Sequence, residues 1–184
     1  RELISFYNIK IYEKIYQENL LNLKLKFQNN IDTFCPRISF LKVEIENIPK
    51  FYNEQVESFF SELNNKKNNF FTDISNYLSY ETGQPTHCYK LSAVKDNITL
   101  GRLNSEKKFQ TLLDRSINLK KGEIVFLNHD NEVINLAGII GGKNSACDNN
   151  TKSVLIECAY FNSEMIIGNA LKHSINSDAA HKFE

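Results

Sequence analysis

Residues 124–142 read Ile124-Val125-Phe126-Leu127-Asn128-His129-Asp130-Asn131-Glu132-Val133-Ile134-Asn135-Leu136-Ala137-Gly138-Ile139-Ile140-Gly141-Gly142. Two apolar segments of strand length, 124–128 and 132–137, flank the turn signal Asn128-His129-Asp130-Asn131. Further strand-length segments at 97–103, 108–113, 116–119 and 153–159 make the second half strand-rich. Upstream, 21–27 and 38–45 alternate apolar and polar residues as half-buried strands. Pro49 opens a helix carrying Val56, Phe59, Phe60 and Leu63 at helical spacing. Residues 70–80 read as a second helix ending at Gly83, and 163–173 as a last one carrying Met165, Ile166, Ala170 and Leu171. Residues 1–16 read as a helix end and connector. The fold class is therefore α+β, a strand-rich mixed domain with flanking helices.

Composition narrows the function. The 184 residues carry 22 Lys+Arg against 22 Asp+Glu, which excludes a strongly basic nucleic-acid binder acting by electrostatics alone. No apolar run approaches membrane-spanning length, and Arg1-Glu2-Leu3 shows neither a leader's plan nor an initiator Met, as expected of a piece of a longer chain. The 24 Asn, 19 Ile and 18 Lys against 4 Arg point to A/T-rich codons. Cys35, Cys88, Cys147 and Cys158 have no zinc spacing, and Cys158 inside its apolar run is expected to be a buried, reduced thiol.

Three features depart from this plain pattern. Gly138, Gly141 and Gly142 crowd into five residues of a chain with 7 glycines. A phosphate loop fails there, because Ala137 stands where its first Gly belongs and Asn144 replaces its Ser/Thr. Turn geometry and a backbone wall for a ligand both remain open. Glu157 interrupts the run Val154-Leu155-Ile156-Glu157-Cys158-Ala159-Tyr160-Phe161, either as a paired buried carboxylate or on a wet strand face. His87 follows the Gly83-Gln84-Pro85 turn, where it is held rigidly for ligand contact or for structure. No G-x-S-x-G, H-E-x-x-H or paired-carboxylate spacing occurs, and no metal ligand set is read.

Taken in order, the motifs resemble a known family. They are Glu81-x-Gly83-Gln84-Pro85-x-His87-x-Tyr89, Ala137-Gly138-Ile139-Ile140-Gly141-Gly142-x-x-Ser145, Leu155-Ile156-Glu157-Cys158-Ala159-Tyr160-Phe161 and Ser177-Asp178-Ala179-Ala180-His181-Lys182-Phe183-Glu184. Cys35-Pro36-Arg37 and Thr72-Asp73-Ile74-Ser75-Asn76-Tyr77 agree. Together they look like the β subunits of bacterial phenylalanyl-tRNA synthetases, through their central editing domain.

The resemblance implies a connector helix and first strand over 1–33 and an editing domain over 34–184, truncated at its C-terminal end. It implies a cytoplasmic α2β2 enzyme whose α subunit charges tRNA(Phe) with phenylalanine using ATP and Mg2+, this segment holding no cofactor and no metal and touching no membrane. It implies hydrolysis of mischarged Tyr-tRNA(Phe), with His87, Asn76 and Ser177 lining the ester and placing water. Glu157 would accept the tyrosine hydroxyl, and Gly138, Gly141, Ser75 and Ala179 would complete the pocket. The chain departs from the family at Lys90, commonly Asp, and at Ser177, commonly Thr. Two other outcomes are carried: a packing remnant with decayed editing, and a free-standing domain acting on tRNA in trans.

Overall fold

The computed structural model describes residues 23–184; the connector expected at 1–16 and the start of the first expected strand lie outside them. The strands are β1 (Lys26–Asn29), β2 (Arg37–Glu44), β3 (Thr86–Lys90), β4 (Asn97–Arg102), β5 (Lys107–Gln110), β6 (Ser116–Leu119), β7 (Ile124–Asn128), β8 (Val133–Leu136), β9 (Ile140–Gly141) and β10 (Ser153–Tyr160). The helices are α1 (Glu54–Glu62), α2 (Phe70–Thr82) and four short ones: α3 (Leu91–Val94), α4 (Ser163–Ile166), α5 (Asn169–Lys172) and α6 (Asp178–Phe183).

The quoted hairpin is the middle of a five-stranded sheet, ordered β1-β4-β7-β8-β9, in which β1 alone runs parallel to its neighbour. A second, antiparallel sheet sets β10 between β2 and β3. The β5–β6 hairpin forms a third.

Strand alternation divides β10 between two cores. Leu155 and Ala159 join Ile98, Leu100, Phe126 and Ile134 between the two larger sheets. Val154, one residue over, packs with Phe71 of α2 and Cys88 of β3. Burial of each such aliphatic side chain contributes roughly 1.5–3 kcal/mol. The other face of the five-stranded sheet is closed by Phe109 and Leu119 of the third sheet, against Val125, Leu136 and Ile140.

The α+β class expected from the sequence is the one found, with several local corrections. The helix expected from Pro49 starts at Glu54, because the Asn53 side chain accepts from the Val56 N–H and caps it, which proline cannot do. The helix expected over 163–173 breaks into α4 and α5 at Gly168, whose φ is +78°. The segment expected as a strand at 108–113 turns after Gln110, with Asp114 at φ +57°. Strands β3 and β9 and helix α6 were not anticipated from the residue pattern. Cys158 is exposed, since it alternates with Glu157 onto the outer face of β10.

Asn69 has two tasks. Its Oδ1 accepts from Thr72 N–H at 3.1 Å, capping α2, while Nδ2 donates to the Cys147 carbonyl at 3.1 Å. Asn69→Ala is expected to cost about 1–2 kcal/mol, more than Asn53→Ala, measured by urea denaturation.

Candidate functional site

The site begins where α2 ends. After Gly83 the Gln84 amide donates to the Ala159 carbonyl at 2.9 Å, tying the turn to β10, and Pro85 leads into β3. The antiparallel register then sets His87 opposite Glu157 and Tyr89 opposite Leu155. All four side chains share the face turned to the five-stranded sheet.

From that sheet comes the glycine turn. The Ile139 N–H bonds the Leu136 carbonyl at 2.9 Å, and Gly138 sits at the third position with φ +73°, which L side chains rarely adopt. At Gly141 space decides: a Cβ there would lie 2.3 Å from His87 Cε1 and 2.7 Å from Nε2. The turn reading therefore holds at Gly138, while at Gly141 the missing Cβ leaves room for the His87 ring against the backbone.

Between the two sheets is a cleft of about 50 Å³ lined by His87, Asn135, Gly138, Gly141, Glu157, Phe161, Ala179 and Phe183, among others. That volume takes one or two waters and is well short of the roughly 150 Å³ that admits a benzene ring. α6 roofs it through Ala179 and Phe183, the latter edge-on to Phe161 at 4.9 Å. A wider groove of about 360 Å³ adjoins it, sharing Pro85, Thr86 and Ala179 and adding Lys66, Asn76, Tyr80 and Lys182.

The electrostatics are unusual for so small a space. Glu157 is buried on the face of Leu155 and Ala159, so the wet-face reading falls. Burial pushes its carboxyl up to about 7, opposed by the hydrogen bond that the Tyr89 hydroxyl donates to Oε2. Asn135 Nδ2 donates in turn to the Tyr89 oxygen at 3.0 Å. Burial pushes His87 down to about 4, so its imidazole is neutral at neutral pH. Two enclosed atoms, His87 Nε2 and Asn135 Oδ1, have no hydrogen-bond partner among the described residues. Such orphaned atoms at a cleft mark where a water or ligand completes the network.

Five of the eight residues singled out from the sequence line this cleft: His87, Glu157, Gly138, Gly141 and Ala179. Asn76 is exposed and belongs to the wider groove. The Ser75 hydroxyl is spent on Thr86, donating to its carbonyl at 2.8 Å and fastening α2 to β3. Ser177 donates to the Ile139 carbonyl at 2.6 Å and accepts from Ala180 N–H at 3.2 Å, which caps α6 and fastens it to the glycine turn. Sequence reading passed over Asn135 and the Tyr89 hydroxyl. Asn135 interrupts an apolar run much as Glu157 does, and Tyr89 lies two residues from His87, on the same strand face.

A family model described as the B3/4 domain matches residues 44–184. The chain belongs to the B3/4 domain family. Among curated relatives of this B3/4 domain chain is a phenylalanine–tRNA ligase β subunit from Bradyrhizobium diazoefficiens, 33% identical over 83% of this chain and 19% of the relative. Another, from Fusobacterium nucleatum, is 28% identical over 100% of this chain and 23% of its own length. The chain thus spans less than a quarter of these relatives. The fold is also that of an N-terminal fragment of the phenylalanyl-tRNA synthetase β subunit from Pyrococcus horikoshii, with TM-score 0.51 and 12% identity over 76% of this chain and 46% of that one.

Two stability tests follow from this geometry. Gly141→Ala forces its Cβ onto the His87 ring and is expected to cost about 1–3 kcal/mol in urea denaturation. Glu157 binds its proton more tightly when folded, so its contribution is full below 4.5 and is lost as pH rises through about 7. Glu157→Gln should therefore gain stability relative to the parent chain between about pH 5 and about pH 8.

Proposed function

We propose that this chain is part of the β subunit of a phenylalanine–tRNA ligase and that its cleft hydrolyses tyrosine wrongly esterified to tRNA(Phe). The observation that carries this reading is a buried carboxylate, Glu157, set beside a neutral imidazole on one strand face that lines a cleft walled on its other side by glycines. In this reading the editing region is 34–184, preceded by the connector and first strand of 1–33. The protein would work in the cytoplasm, where an α subunit, paired as α2β2, supplies the ATP- and Mg2+-dependent charging site.

The physical case begins with selection. Tyrosine exceeds phenylalanine by one hydroxyl, and an apolar charging pocket excludes an added hydroxyl only by about a hundredfold. A second pocket with a buried acceptor reverses the preference. A phenol donates to ionised Glu157, whereas a phenyl ring leaves the oxygen not bonded by Tyr89 without a donor.

In the tautomer that carries its hydrogen on Nδ1, His87 Nε2 holds the attacking water by accepting one of its protons. Water oxygen adds to the ester carbonyl, the ribose oxygen leaves carrying a proton, and free tyrosine and tRNA result. Asn76 and the lysines of the wider groove stand where the ribose end would lie. Ser177 acts by holding α6 against the glycine turn. Entry of a phenol ring requires that α6 roof to lift.

Two observations favour a second reading. The 50 Å³ of room and the two committed serines also suit a domain kept for packing.

Deacylation separates the two readings. The assembled enzyme should hydrolyse Tyr-tRNA(Phe) rapidly, and Glu157→Ala should slow this roughly tenfold to a hundredfold and raise the mischarged fraction. Background rates in both proteins would leave the packing role.

A further inference from the structure

Neither core packing nor the proposed ester chemistry needs a hydroxyl on Tyr89. The residue is 0% exposed, and its ring lies among core side chains, edge-on to His87 with centroids 4.5 Å apart. Phenylalanine would fill the same volume. A buried phenol is costly unless its hydroxyl is bonded, and here both of its roles are used: it accepts from Asn135 Nδ2 and donates to Glu157 Oε2. Register explains the approach. Tyr89 pairs with Leu155, two residues along β3 from the His87–Glu157 pair and on the same face, so the phenol reaches the carboxylate from the core side. It is not a lining residue of the cleft.

We propose that Tyr89, braced by Asn135, is a specificity-determining positioning residue: its hydroxyl occupies one Glu157 oxygen, so the carboxylate offers only the other to a tyrosyl hydroxyl. This rests on the reading of the cleft as a tyrosyl-ester hydrolase. A free carboxylate rotates and tolerates several ligand poses, whereas one held by a fixed donor presents a single acceptor direction. The same donor favours the ionised acid, which accepts only and so penalises a phenyl ring.

The pH dependence has a clear sign. Among the described residues, the titratable groups around Glu157 are His87 and Tyr89 on β3, Cys35 ahead of β2, and Cys158 on its own strand; α6 lines the cleft with Ala179 and Phe183 and not with its Asp178, His181 or Lys182. The glycine turn and Asn135 add none. His87 is neutral above about 4, Cys35 is pushed up to about 12 by burial, and Cys158 is raised as well. A selectivity curve near neutrality therefore reports Glu157, and removing the Tyr89 donor moves its midpoint to higher pH.

The test uses the full-length β subunit assembled with its α subunit, as wild type and as Tyr89→Phe. Hydrolysis of tyrosyl- and phenylalanyl-tRNA(Phe) is followed across a pH series. Tyr89→Phe should lower the kcat/KM preference for the tyrosyl ester by roughly tenfold or more and raise the pH at which that preference develops. A role in ring packing alone predicts neither change. An unaltered ratio and midpoint, with wild type active, overturn the positioning role while leaving the hydrolase reading intact. A wild type inert toward the tyrosyl ester overturns that reading and this one together. If Tyr89→Phe melts early, Asn135→Ala takes its place. It should shift ratio and midpoint in the same direction, less strongly, and no shift overturns the proposal.

Discussion

A carboxylate enclosed in an apolar interface is the constraint on which the rest of the cleft depends. Left alone, an ionised Glu157 would cost several kcal/mol or would simply take up a proton. One neutral hydroxyl donor holds it between those outcomes, near 7. That donor must itself be buried and oriented, which accounts for Asn135 on the facing sheet. Three polar side chains from β3, β8 and β10 thus form one network across the gap between two sheets, and none of them is explained by packing alone.

Glycine geometry supplies the opposite wall. The backbone turns at Gly138 and passes close to the imidazole at Gly141, so any side chain at 141 would occupy the space the ring needs. The hydroxyls nearest this wall are committed elsewhere. Ser177 fastens α6 to the glycine turn, and Ser75 fastens α2 to β3.

Much of this was legible beforehand because strands and caps announce themselves locally. Alternation in 38–45, the apolar run at 153–159 and the turn at 128–131 depend only on near neighbours and appear close to where they were expected. β3 was missed because Thr86-His87-Cys88-Tyr89-Lys90 has too few aliphatic residues to show a strand period; its pairing with β10 makes it a strand. The 163–173 segment kept its helical spacing yet broke at Gly168, whose positive φ ends one turn before the next begins.

The sequence by itself determined the α+β class, the crowding of glycines after β8, and the oddity of Glu157 within an apolar strand. Those properties follow from residue type and short-range spacing. Only the tertiary structure decided that Glu157 faces His87 and rests on Tyr89, that Asn135 completes the network, and that Ser75 and Ser177 are fasteners. Register between strands 70 residues apart, and the sealing of one sheet against another, set those partnerships. Hydrogen-bond partners and desolvation belong to neighbours in space, which spacing along the chain does not encode.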